Sequence, residues 1–185
     1  MRTSSFQGGA VAINILVTGG LGHIGSSLIK KIPKHHKLTV VDNLATERYC
    51  SLFNTKREFR FLESSFIDIP KNILSNSDVV IHLAAITNAT ESFNNSDLEE
   101  VNVNQTKEFI DRCSRESSCR FMFPSSTSVY GVASNTVTED NDDFLNPQSP
   151  YAESKIEIER YLSGVNIDYV VMRLGTIFGF SPGMR

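Results

Sequence analysis

TGGLGHIG, Thr18 to Gly25, follows directly on the apolar run Ile13-Asn14-Ile15-Leu16-Val17. Four glycines in eight residues cost backbone entropy, so a tight turn or a close approach must require them. Gly20-Leu21-Gly22-His23-Ile24-Gly25 fits G-x-G-x-x-G, and it stands between a strand pattern and a helix pattern, the context in which that motif holds a dinucleotide. There the first glycines permit the turn, Gly22 lets backbone approach a pyrophosphate, and Gly25 lets helix and strand pack closely. The helix N-terminus adds free N–H groups and partial positive charge.

Working outward, β-branched and aromatic runs recur at Ile13–Thr18, Leu38–Val41, Arg60–Leu62, Val79–Leu83, Phe121–Pro124 and Tyr169–Met172. Helical patterns lie between several of them, at Ile24–Ile32, Asp97–Arg115 and Ala152–Leu162. Strands apolar nearly throughout are buried on both faces, and their alternation with helices predicts a doubly wound parallel α/β sheet. The longest irregular stretch, Val132–Pro150, is polar, and loops of that length are often functional.

The second strand pattern ends in Val40-Val41-Asp42-Asn43. A carboxylate at that place accepts both ribose hydroxyls and repels a 2′-phosphate, which favours NAD over NADP. Further along, Tyr151-Ala152-Glu153-Ser154-Lys155 puts a phenol and an amine four residues apart on one helix face. An ammonium about 4 Å from a phenolate, at an effective dielectric of about 20, contributes roughly 4 kcal/mol. That is enough to bring a tyrosine pKa from about 10 toward neutrality, less the cost of desolvation. The hydroxyl cluster Ser125-Ser126-Thr127-Ser128 closes the fifth strand pattern, where ligands of doubly wound sheets bind.

Composition bounds the alternatives. The 185 residues suffice for one domain with a full core. A net charge of −3 gives no electrostatic case for nucleic acid or an anionic membrane, and no stretch reaches the ~20 apolar residues of a bilayer span. Cys50, Cys113 and Cys119 form no CxxC or metal-ligand pattern and read as reduced thiols of a cytoplasmic protein. The segment 1–10, MRTSSFQGGA, reads as a leader or added residues, with the dinucleotide domain running over 11–185. His35 and His36 fall in a polar turn, His82 reads as a satisfied strand-end histidine, and the run Glu139-Asp140-Asn141-Asp142-Asp143 as a solvated acidic loop, with no metal site.

Taken together, TGGLGHIG, VVDNL, VIHLAA, VNVNQT, PSSTSVYG, SPYAESK and MRLGTIFG resemble, in order from Asn14 to Gly179, the extended short-chain dehydrogenase/reductase family, and within it the NAD-dependent nucleotide-sugar epimerases and dehydratases. The resemblance implies a Rossmann-type fold with a nucleotide-sugar substrate. It makes Tyr151 the acid/base, Lys155 the partner that holds the nicotinamide ribose and lowers the tyrosine pKa, and Ser126 the donor to the substrate oxygen. Gly19, Gly22, His23, Ile24 and Gly25 would meet the pyrophosphate, Asp42 and Asn43 the adenosine ribose, and Leu83, Ala84 and Ala85 would line the cofactor's path; Asn102 would be structural. It also implies homodimerisation through the helices at Asp97–Arg115 and Tyr151.

Departures from the pattern carry expectations too. The adenine-contacting Asp of many members falls on Ser65, followed by Phe66, with Asp68 three residues on. The Asp-Glu pair of family dehydratases is Thr127-Ser128 here, which disfavours elimination of water, and Thr176 replaces an asparagine of the sugar site. Family members continue into a smaller C-terminal lobe that grips the sugar, so the sequence ending at Arg185 predicts a domain without that lobe and without turnover of its own. The resulting expectation is an NAD-dependent epimerase acting through a transient keto-sugar. The alternatives are a sugar-keto reductase or alcohol dehydrogenase using the same residues, and a non-catalytic dinucleotide sensor on the same fold.

Overall fold

The computed structural model describes residues 11–53, 55–87, 93, 95–132, 136–139 and 142–179. The segment 1–10, the centre of the acidic run and the last residues up to Arg185 lie outside them. Six strands, β1 (Asn14–Thr18), β2 (Lys37–Asp42), β3 (Arg60–Glu63), β4 (Val79–His82), β5 (Arg120–Ser126) and β6 (Asp168–Leu174), form one sheet in the order β3-β2-β1-β4-β5-β6. Every pairing is parallel. The order reverses between β1 and β4, the switch point at which doubly wound sheets open a crevice beyond their carboxyl ends.

Helices cover both faces. On one, α1 (His23–Lys31) packs Ile29 against Val17 and Val40. On the other, α2 (Lys71–Leu74), α3 (Thr106–Glu116) and α4 (Pro150–Gly164) build the larger core, in which Phe109, Ile110, Ile158 and Leu162 meet Leu16, Val80 and Phe121 of the strands. The apolar side of the 97–115 segment is therefore packing.

Three local differences from the sequence reading have physical causes. The α4 helix starts at Pro150, because Ser149 accepts the Ala152 N–H at 3.2 Å as N-cap and proline suits the first helical position. Tyr151 thus lies in the first turn. The segment before α3 is a π-helical turn, Glu100–Gln105, in which the Thr106 hydroxyl bonds the Val101 carbonyl at 3.0 Å. Lastly, β3 and β6 are edge strands, so they are not buried on both faces; Tyr169 and Val170 of β6 are exposed.

Candidate functional site

The glycine loop turns at the carboxyl end of β1. Gly19 has φ +64°, and a Cβ there would stand 2.5 Å from the Ala84 nitrogen. A Cβ on Gly20 would meet Val40 Cγ1 at 2.3 Å, and one on Gly25 the Gly20 oxygen at 2.5 Å. Gly25 therefore serves contact of the helix with the loop, while Gly20 serves contact with the strand, a refinement of the sequence reading. Gly22 differs: its φ is −63°, and a Cβ would approach only the Gly19 oxygen, at 3.2 Å. Protein packing has little need of glycine at that place, whereas a ligand pressed against the backbone would.

Gly22 is also the N-cap of α1 and has no side chain to cap with. The first intrahelical bond runs from Ser26 N–H to the Gly22 carbonyl at 3.0 Å, so the N–H groups of His23, Ile24 and Gly25 head the helix without an intrahelical acceptor. No acidic residue occupies that first turn. Open donors, positive dipole and a bare backbone at Gly22 fit a dinucleotide pyrophosphate.

Asp42 ends β2 beside this loop. Its two carboxylate oxygens accept the N–H of Leu21 at 3.0 Å and of Leu44 at 2.9 Å, tying the glycine loop to the chain after β2. Leu44 has φ +59°, a conformation uncommon for a branched residue, and the Asp42 bond helps hold it there. Each oxygen keeps a further lone pair, as a ribose contact requires. Asn43 is exposed, and its Oδ1 accepts the Ala45 N–H at 3.1 Å. Ser65, where the family's adenine-contacting Asp would fall, is half-buried; Phe66 beside it is buried against the His82 and Phe109 rings, and Asp68 is exposed.

After β4, Leu83 N–H bonds the Thr18 carbonyl at 3.0 Å and Ala84 N–H the Thr18 hydroxyl at 3.4 Å, which brings residues 83–85 beside the glycine loop. Asn102 fixes the continuation: its side-chain amide exchanges two 2.8 Å hydrogen bonds with the Ile86 main chain. His82 is buried between the Thr18 hydroxyl at 2.8 Å and the Thr106 hydroxyl at 3.3 Å. Burial, with the Lys155 charge as the lesser cause, lowers its pKa to about 3, so it is a neutral, satisfied histidine.

Ser126 closes β5, and its oxygen accepts from the Ser128 N–H at 3.1 Å and the Ser128 hydroxyl at 2.8 Å. Lys155 reaches the same strand from α4. Its Nζ donates to the Pro124 carbonyl at 3.0 Å, 4.6 Å from the Phe123 ring centre and 5.6 Å from that of Tyr151. Burial lowers the Lys155 pKa to about 8, partly countered by Glu159 one turn on. The Tyr151 pKa is raised, and burial is the cause. The Lys155 ammonium is meanwhile engaged by the Pro124 carbonyl, and the half-buried phenol loses solvation.

Sequence reasoning missed the network beneath these residues. Glu159 accepts from Arg173 Nε at 3.2 and 3.0 Å and from Arg173 Nη2 at 2.6 Å, with both side chains about nine-tenths buried, and it also accepts the Ser125 hydroxyl. Arg173 donates in turn to the Tyr130 hydroxyl at 2.9 Å. The Glu159 carboxylate and the Tyr130 hydroxyl hold the guanidinium pKa above its usual value. Glu159 falls one turn after Lys155, so helical spacing was a usable signal; its partner on β6 was not.

Comparison with known proteins agrees with this geometry. The model of the NAD dependent epimerase/dehydratase family matches residues 15–185. The dTDP-D-glucose 4,6-dehydratase of Dictyostelium discoideum is 32% identical over 89% of this chain and 44% of its own length. Among solved structures, UDP-N-acetylglucosamine 4-epimerase from Methanobrevibacter ruminantium M1 superposes with a TM-score of 0.78 at 29% identity, covering 88% of this chain and 54% of that one. UDP-glucuronic acid 4-epimerase from Bacillus cereus, solved with NAD, gives 0.77 at 27%, covering 93% and 60%. The chain spans about half the length of the relatives it matches. It belongs to the NAD-dependent epimerase/dehydratase family.

Proposed function

We propose that this member of the NAD-dependent epimerase/dehydratase family binds NAD at the carboxyl end of its sheet and epimerises a nucleotide-sugar there. The observation that carries the reading is convergence. The glycine loop, Asp42, residues 83–85 and Ser126 all stand at strand carboxyl ends, and α4 brings Lys155 Nζ within 3.0 Å of the Pro124 carbonyl on β5.

NAD, when bound, supplies a reversible hydride acceptor. Gly22 and the N–H groups of His23, Ile24 and Gly25 hold its pyrophosphate, with Gly19 shaping the turn. Asp42 and Asn43 hold the adenosine ribose, Leu83, Ala84 and Ala85 flank its path, and Lys155 takes the second ribose. Tyr151 accepts the proton of the sugar hydroxyl and later returns it. In the arrangement described the phenol keeps its proton, the state that donates. Taking a proton requires Lys155 Nζ to turn from the Pro124 carbonyl toward the phenolic oxygen, where roughly 4 kcal/mol of attraction at about 4 Å favours the phenolate. Ser126 bonds the same substrate oxygen and stabilises charge developing on it. Passage through a keto-sugar and inversion at that carbon would draw on the hydride chemistry NAD supplies when bound, while this chain's own residues handle the proton and the charge on the oxygen.

Epimerase is favoured over dehydratase by Thr127 and Ser128. Removing water from the sugar needs a general acid and a base, and two hydroxyls supply neither near neutral pH. Ser128 moreover donates its hydroxyl to Ser126.

The test is incubation of a version extended by the family's C-terminal lobe with NAD and a panel of nucleotide-sugars, reading sugar configuration by NMR and mass by spectrometry. Inversion without mass change is expected; loss of water would replace epimerase by dehydratase, and net reduction by a reductase. Cofactor choice is checked by calorimetry: NAD should bind at least tenfold more tightly than NADP, about 1.4 kcal/mol. Equal affinities would remove Asp42 from the ribose site.

A further inference from the structure

The amino-terminal end of the sheet carries a second concave site. A cleft of ≈ 880 Å³ opens where β1, β2 and β3 begin, within the volume range of small-molecule sites. Lys37 and Arg60 are the first residues of β2 and β3; Lys34 comes from the turn before β2, and Lys56 and Arg57 from the approach to β3. Glu58 is the one carboxylate in the lining. Asp78, which bonds a lining residue, is engaged by the Asn14 N–H at 2.7 Å and the Asn14 side-chain amide at 3.0 Å.

Five cations facing one acid is a strong local excess in a chain of net charge −3. Among the described residues none of the five has a salt-bridge partner. Arg57 is the decisive member. It is only 7% exposed; a terminal nitrogen donates to the His36 carbonyl, and its Nε is buried with no hydrogen-bond partner. A buried guanidinium with one donor unpaired and no salt-bridge partner among the described residues is costly, and an anion in the cleft lowers that cost through its attraction to the charge. A smaller adjoining depression shares Lys34, Lys56 and Arg57, so the positive lining extends beyond one hollow. Desolvation lowers the His36 pKa, and the charges of His35 and Arg57 lower it further, in keeping with a positive field.

We propose that this cleft is an anion site for an oligophosphate, with Arg57 as its buried anchor and Lys34, Lys37, Lys56 and Arg60 as its rim. The charge excess calls for a ligand carrying several negative charges in a small volume, and guanidinium and ammonium groups both pair strongly with phosphate oxygens. It is separate from the cofactor site: the six residues of β2 run from Lys37 in the cleft to Asp42 at the glycine loop, about 17 Å at the usual rise per residue. The site does not depend on the epimerase reading.

The experiment is a titration of the ¹⁵N-labelled 185-residue protein with sodium tripolyphosphate, followed by amide shifts. Saturable movement of the 34–39 and 56–60 amides is expected. The exposed double variant Lys34→Gln/Lys56→Gln should keep the fold and weaken binding at least tenfold, and Arg57→Gln should weaken it further. Movement confined to residues 19–25, an equal response to sodium chloride of matched ionic strength, or unchanged affinity in the double variant would each overturn the site.

Discussion

The two halves of the crevice are built from different materials. At β1 and β2 the candidate nucleotide site is mainly backbone: bare glycines, three helix-heading N–H groups, and one carboxylate that takes Leu21 and Leu44 N–H. At β5 and α4 it is side chains on side chains, with Tyr151 and Lys155 standing above Glu159, Arg173, Ser125 and Tyr130. A backbone site depends on what is absent, a Cβ in particular. A side-chain site depends on charge and burial, and so on pH and on every partner in the network.

The sharpest way to break the comparison is Tyr151→Phe. If chemistry resides in the side-chain half alone, turnover of a version extended by the family's C-terminal lobe falls ~10²–10⁴-fold while NAD affinity measured by calorimetry stays within a few-fold. Comparable losses in both would merge the two halves into one site.

Next in size is Glu159→Ala. Removing one partner of a buried ion pair leaves Arg173 uncompensated, and such losses run to about 3–5 kcal/mol. Urea unfolding should register most of that. A change under about 1 kcal/mol would show that Tyr130 and solvent satisfy the guanidinium on their own.

Within the backbone half, two glycines should part company. Gly25→Ala forces a Cβ to 2.5 Å from the Gly20 oxygen and should cost about 1–3 kcal/mol in stability. Gly22→Ala has an ordinary φ and one 3.2 Å contact, so its melting temperature should barely move while NAD binding weakens. Equal effects on melting would mean Gly22 serves packing after all.

The last test is a pH dependence of the side-chain half. Lys155 has a folded pKa of about 8, below the 10.5 of an unperturbed lysine. Between those values the unfolded chain binds a proton that the folded chain has lost, so stability contributed by this residue rises with pH. Relative to Lys155→Met, the wild type should gain stability from pH 8 toward pH 10, read from urea midpoints. Beyond about 10 the raised Tyr151 pKa works the other way, because the unfolded phenol ionises first. A flat difference would place the Lys155 ammonium in solvent.

Much of this was legible in the residues. The glycines and Asp42 could be read because backbone geometry depends on local residue type: only glycine tolerates φ +64° with a main chain 2.5 Å away at Gly19. Strand and helix patterns likewise located all six strands, with ends displaced by one or two residues. Ser149 and Pro150 held a legible helix start that apolar spacing alone passed over. The π-helical turn at Glu100–Gln105 carried no comparable sign.

Sequence by itself determined the alternating α/β order, the dinucleotide loop and the Tyr151–Lys155 spacing, since each rests on residues within a few positions of one another. Tertiary structure alone decided the electrostatics. Whether Lys155 faces the phenol or the Pro124 carbonyl, and whether Glu159 finds Arg173 on β6, depends on burial and on partners 14 to 31 residues away. Burial raises the Tyr151 pKa, because removing a phenolate from water disfavours the charged form. The unpaired Arg57 nitrogen is of the same kind: a basic residue in sequence, and a buried donor without an acceptor only once three strands are brought side by side.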